Sequence, residues 1–169
     1  MYKQFTAFVL SVIMLFSACS APAEQIKYSE NILVSIDYGG VGYGTRAECT
    51  DAEVYIHTDR TVHVFMPDSG YVEIIEIGQF ELSEEDYLKL EKISDPEKIR
   101  SIKVTEMDAC DGTSCYITLY GEDDREIFRT GGYMPDGKEF HETRSAIIEI
   151  VESYGLNEII DKHRATLEG

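Results

Sequence analysis

Hydrophobic and polar positions alternate along much of the chain's first half. From Asn31 to Tyr38, the apolar or aromatic positions Ile32, Val34, Ile36 and Tyr38 fall on one side, which predicts a strand. A glycine-rich stretch follows, Gly39-Gly40-Val41-Gly42-Tyr43-Gly44. Val54-Tyr55-Ile56-His57 and Val62-His63-Val64-Phe65 flank the polar Thr58-Asp59-Arg60-Thr61, the pattern of a β-hairpin. Val72 to Phe80 is a further β-branched run. Ser83 then opens a helix: its hydroxyl is placed to cap, and Glu84, Glu85 and Asp86 in the first turn suit the positive end of the helix dipole. Tyr87, Leu90 and Ile93 give that helix a narrow apolar face, and Pro96 ends it or starts a new turn.

The second half repeats the plan. Ile99 to Met107 reads as a strand. Cys115–Tyr120 and Glu126–Thr130 flank the Gly- and Asp-rich turn Gly121–Arg125. The irregular stretch Gly131-Gly132-Tyr133-Met134-Pro135 leads to a helix over about 141–154, with Ile147, Ile148, Ile150, Val151 and Tyr154 along one side. Gly155 is the expected stop, and Asn157 is placed to cap a last short helix carrying Ile159 and Ile160. Two ββα-like units in one chain predict an α+β fold. It would be a two-layer sandwich, one antiparallel sheet with helices on one face.

The first 19 residues have a different pattern. Lys3 precedes an apolar run from Phe5 to Phe16, closed by the small residues Ser17-Ala18 and then Cys19. A positive start, an apolar core of about a dozen residues and a small-residue end make an export signal. Spanning a bilayer takes about 20 apolar residues, more than this run offers. Leu15-Phe16-Ser17-Ala18-Cys19 resembles the lipobox of bacterial lipoproteins, with Phe16 standing where an aliphatic is usual. The resemblance implies cleavage before Cys19 and a lipid on its thiol. The alternative is an ordinary signal cut near Ala18, Ala21 or Ala23, which leaves a secreted protein without an anchor. The chain thus divides into a signal (1–18), a tether (19–30) and one domain (31–169).

Charge narrows the partners. The 169 residues hold 32 acids against 15 Lys and Arg, a formal net charge of −17. The signal segment contains one lysine and no acid, so the acidity belongs to the body. A nucleic-acid partner is excluded by this balance, because phosphate backbones are bound by clustered cations. Attachment to an anionic membrane by electrostatics alone is excluded for the same reason, whereas a lipid on Cys19 would hold so acidic a domain at a membrane.

Candidate chemistry is sparse. With Cys19 lipidated, Cys49, Cys110 and Cys115 remain, in a compartment that permits disulfides. Strand pairing around Asp111-Gly112-Thr113-Ser114 would bring Cys110 to Cys115; Cys49 with either one would tie the two halves together; no bridge is the third case. Gly42-Tyr43-Gly44-Thr45-Arg46-Ala47 has the spacing of a dinucleotide fingerprint, but no helix follows it, so a loop is the reading. His57 and His63 share a face if the hairpin loop has three residues and lie on opposite faces if it has two or four. No metal set and no cofactor motif is recognisable. A carboxylate hydrolase would use the acids near Asp108–Asp111 and Glu122–Asp124, with calcium as the cation to consider, while the cluster Glu81, Glu84, Glu85 and Asp86 is accounted for by the helix start. Eleven tyrosines and no tryptophan suit a contact surface. Tyr43, Gly132, Tyr133 and Met134 are the binding-surface candidates, because they lie in irregular, glycine-rich segments.

Taken together, the sequence predicts a lipid-anchored, non-catalytic domain outside the cytoplasmic membrane that binds an envelope protein or peptide. The envelope hydrolase is the alternative. The body, with a Cys110-Asp111-Gly112 hairpin followed by Gly131-Gly132-Tyr133 and a C-terminal helix, also loosely resembles small bacterial lipoprotein domains of uncharacterised function. That likeness implies no active residues.

Overall fold

The computed structural model describes residues 26–39, 46–106 and 113–168. Cys19, the signal segment, Tyr43 and Asp108 to Asp111 lie outside them.

Six strands form one antiparallel sheet in the order β4-β3-β2-β1-β6-β7. They are β1 (Ile32–Tyr38), β2 (Ala52–His57), β3 (Thr61–Pro67), β4 (Ile74–Glu81), β6 (Ser114–Tyr120) and β7 (Glu126–Tyr133). A small second sheet pairs β5 (Thr105–Glu106) with β8 (Pro135–Asp136). The helices are α1 (Glu84–Ile93), α2 (Pro96–Ser101), α3 (Lys138–Glu152) and α4 (Leu156–Leu167). The architecture is therefore α+β, as the alternating pattern predicts.

The hydrophobic phase of each central strand supplies the core. Val34, Ile36, Val54, Ile56, Val62, Val64, Met66, Ile117 and Leu119 are buried together with Leu90, Ile99, Phe140, Ile147, Val151, Leu156 and Ile160 from the helices. Burial of that apolar area is the main favourable term for the fold. Two hydroxyls fasten the helices to each other and to the sheet. Tyr38 shares its one hydroxyl proton between Glu152 and Asn157, and Tyr154 accepts from the Ser83 amide while donating to Asp86. Ser83 caps α1 as expected, its side chain accepting from the Asp86 amide.

Several boundaries differ from the sequence reading. Residues 99–101, expected in a strand, belong to α2, where Asp95 caps the helix and Pro96 occupies its first turn. A capped proline start outweighs the β-branched content of a short run. Among the described residues of that expected strand, Thr105 and Glu106 are the ones in a strand. Gly131, Gly132 and Tyr133 extend β7 rather than forming a loop, pairing with Tyr116, Cys115 and Ser114. The C-terminal helix α4 is a full 12 residues, and Gly155 stands at its N-cap in the left-handed conformation with φ 87°. Asn157 is inside it, accepting from Tyr38 instead of capping. Part of the expected tether is also fixed: Tyr28 bridges to Gly121, and Lys27 pairs with Glu122 at 2.9 Å.

Candidate functional site

The strand positions between the core residues point to the opposite face, because successive side chains alternate. That face carries Ser35 and Asp37 on β1, Glu53, Tyr55 and His57 on β2, and His63 and Phe65 on β3. Tyr116, Thr118 and Tyr120 continue it on β6, with Arg129 on β7. Register places them side by side: Tyr55 is opposite Ser35 and His63, Asp37 is opposite Glu53, and Ser35 is opposite Thr118.

Aromatic rings form a connected belt. Phe65 and Tyr55 meet edge to face at 5.4 Å, and Tyr55 lies 5.8 Å from Tyr120. Such pairs add to stability beyond their buried area. His57 and His63 stand 4.7 Å apart. The hairpin loop between them is Thr58-Asp59-Arg60, three residues, and they do share a face as that length requires. They sit diagonally, since His63 is opposite Tyr55. His63 pairs with Glu76 at 3.2 Å. Phe65, Tyr55, Tyr116 and Tyr120 are all only half-buried.

Polar groups thread through this belt. The Ser35 and Tyr120 hydroxyls are 2.7 Å apart, and Tyr55 donates to Glu53 at 3.0 Å. Burial, helped by Tyr120, pushes the Tyr55 hydroxyl up, so it stays a donor at any physiological pH. Burial and the nearby His63 push His57 down, toward the neutral imidazole. Burial raises the Asp37 carboxyl to about 6; Glu53 and Asp51 push the same way, against Arg129 and Arg144. Arg129 lies over the Tyr116 ring at 4.8 Å and pairs with Glu126 at 2.8 Å. Arg144 donates to the Asp37 backbone carbonyl at 2.8 Å.

A second concavity lies at the start of α3. It measures about 240 Å³, with Cys115, Met134, Phe140, His141 and Arg144 in its wall. Two residues singled out by sequence, Cys115 and Met134, come together here, and Met134 has a φ of 45°. Gly132 is buried against Cys115 in the β6–β7 ladder, and Tyr133 is half-buried opposite Ser114.

Of the disulfide candidates, Cys49 is an exposed free thiol and Cys115 a half-buried one, and Cys110 lies outside the described residues. The turn acids are engaged locally. Asp124 accepts from Ser29 and Asn31, which hold its carboxyl below the usual range, while Glu122 pairs with Lys27 and Asp123 with Arg125. Among the described residues, no three His, Cys, Asp or Glu side chains are grouped to hold a metal ion.

The residues of the open face other than the two histidines were missed as a group by the sequence reading. Their signal is visible in hindsight: the polar phase of β2 and β3 contains Tyr55 and Phe65, where an ordinary solvated face has none. Comparison with known proteins finds no matching family model, no similar curated protein and no similar solved structure.

Proposed function

We propose that this chain is a lipid-anchored, extracytoplasmic binding module, without catalysis of its own, that holds a protein or peptide against the open face of its sheet. One observation carries the reading: the Phe65–Tyr55–Tyr120 belt is half-buried, contiguous and flanked by the Asp37–Glu53 pair. Large half-buried rings beside paired carboxyl groups are the composition of a contact surface. The finer fold reading supports the same view. The chain is two ββα-like units, β2 and β3 leading through β4 to α1, and β6 and β7 leading to α3. In that arrangement the helices form one layer, and the sheet's second face is left for another molecule.

The membrane partner is the lipid on Cys19, supported by the lipobox-like Leu15–Cys19 alone. Site-specific photo-crosslinking in intact bacteria tests the binding reading. A photoreactive residue at Tyr55 is expected to give a discrete adduct, and the same residue at Glu91, exposed on α1, is expected to give none. Equal labelling at both positions, or none at Tyr55, removes the reading.

A further inference from the structure

We propose that the partner presents a cationic extended segment, one of whose Arg or Lys side chains seats over Asp37 and Glu53 between the Tyr55–Phe65 rings and Tyr116. This rests on the open face being the binding surface and adds the chemistry of what it binds.

Charge complementarity on the open face supports this seating. Asp37 and Glu53 are direct cross-strand partners on one face, an arrangement that repels unless a cation intervenes. The cations near them are shared with other groups. Arg129 is paired with Glu126 and lies over Tyr116, and Arg144 bonds the Asp37 carbonyl oxygen. Both draw the Asp37 carboxyl down, against burial, Glu53 and Asp51, which raise it. An incoming guanidinium or ammonium group meets carboxylates at its charged end and aromatic faces along its stem, the two attractions such side chains exploit. The register around the pair suits an extended segment. Extending it one residue beyond Ile36–Ile117 sets Tyr116 beside Asp37, so aromatic and acidic sites recur at strand spacing. A second copy of this chain is a poor occupant, because each carries a net charge of −17. An acidic or nucleic-acid partner fails for the same reason.

The test uses the full chain purified in an uncharged detergent. Its probes are three synthetic decapeptides that alternate Val with Arg, Ser or Glu. The Arg–Val peptide is expected to bind, and the D37N/E53Q variant to weaken it by about ten-fold, the scale of a close interfacial charge pair. E84Q/E85Q removes the same formal charge from the start of α1 and is expected to change affinity less than about two-fold, since exposed distant charges are screened. Equal loss in both variants would mean diffuse attraction to an acidic protein and would overturn the proposal. So would binding of the Ser–Val or Glu–Val peptide as tightly as the Arg–Val one. In that case a persisting Tyr55 crosslink preserves the binding face while the cationic inference fails; absence of any Tyr55 adduct removes the face itself.

Discussion

Asp37 and Glu53 stand directly opposite each other on β1 and β2, two carboxyl groups on the sheet face away from the core. Burial raises the Asp37 carboxyl to about 6, opposed by Arg129 and Arg144 and assisted by Glu53 and Asp51. The folded state therefore holds this proton more tightly than the unfolded chain, whose Asp titrates near ~4. Between those values the folded form binds more protons, so stability is lost as pH rises through the window. Asp37→Asn removes the penalty. It is expected to stabilise the domain at pH 7 by about 1 kcal/mol, a figure reduced for the solvent that still reaches this half-buried group. At pH 4 the gain is expected to vanish. Urea denaturation at both values checks it; a destabilised variant at pH 7 would show that the carboxylate is already well compensated.

The two histidines give a pH response of opposite sense. Burial and His63 lower the proton affinity of His57, opposed by Asp59 and Asp124, while His63 itself faces Glu76. A base with a depressed folded-state pKa favours the fold when neutral, so this contribution is lost as pH falls through the ordinary histidine range. His63→Gln removes the imidazole that lowers the proton affinity of His57. The His57 ring is expected to titrate at higher pH in that variant, read by the NMR shift of its Cε1 proton. An unchanged titration curve would mean that burial alone sets the His57 value.

How much of this was legible in the sequence depended on whether the signal was local. β1, β2 and β3 alternate cleanly because one side of each is buried, and the Ser83 cap with three acids after it marks α1. The turn length Thr58–Arg60 settled which face His57 and His63 share, since loop parity fixes side-chain direction. The extension of β7 through Gly131 and Gly132 was not legible, because two glycines signal a loop and only the β6 backbone makes them a strand. Nor was the Asp37–Glu53 pair, which depends on a register set across the 16-residue separation between those positions. Tyr120 reaching Ser35 joins residues 85 apart, and no window along the chain contains both.

Gly131 shows what that extension requires. Its φ is 129°, and a Cβ there would lie 2.0 Å from the Cys115 carbonyl oxygen and 2.9 Å from the Tyr116 Cα. The obstacle is backbone, so no side chain can yield. Gly131→Ala is expected to break the β6–β7 pairing and cost more than about 3 kcal/mol, combining strain with lost ladder bonds. Gly78 is the contrasting case: its added Cβ would meet the Ile159 Cγ2 at 2.8 Å, a side-chain atom. Gly78→Ala is expected to cost about 1–3 kcal/mol, as overpacking does. Combining it with Ile159→Ala should give less destabilisation than the two single effects added together. Denaturant midpoints of the four variants decide both points; strictly additive Gly78 and Ile159 effects would rule out the clash.

The proposed anchor predicts a chemical change at one sulfur. If Cys19 carries the lipid, the exported protein has an intact mass above that of the polypeptide from Cys19 onward, by the acyl groups attached. One acyl chain holds a protein at a membrane only marginally, and two hold it firmly, since each buried CH₂ adds about 0.8 kcal/mol. Wild-type protein expressed in a bacterium is therefore expected in the membrane fraction and in the detergent phase. Cys19→Ser removes the only group able to accept the lipid there. The variant is expected either to keep its signal segment or to be cut near Ala21 or Ala23, in each case at the mass of unmodified polypeptide. Wild-type protein found at an unmodified mass beginning after Ala18, Ala21 or Ala23 would identify an ordinary export signal and remove the anchor. The test of the aromatic face is independent of that result, because the Tyr55 crosslink reports on the folded domain wherever it is released.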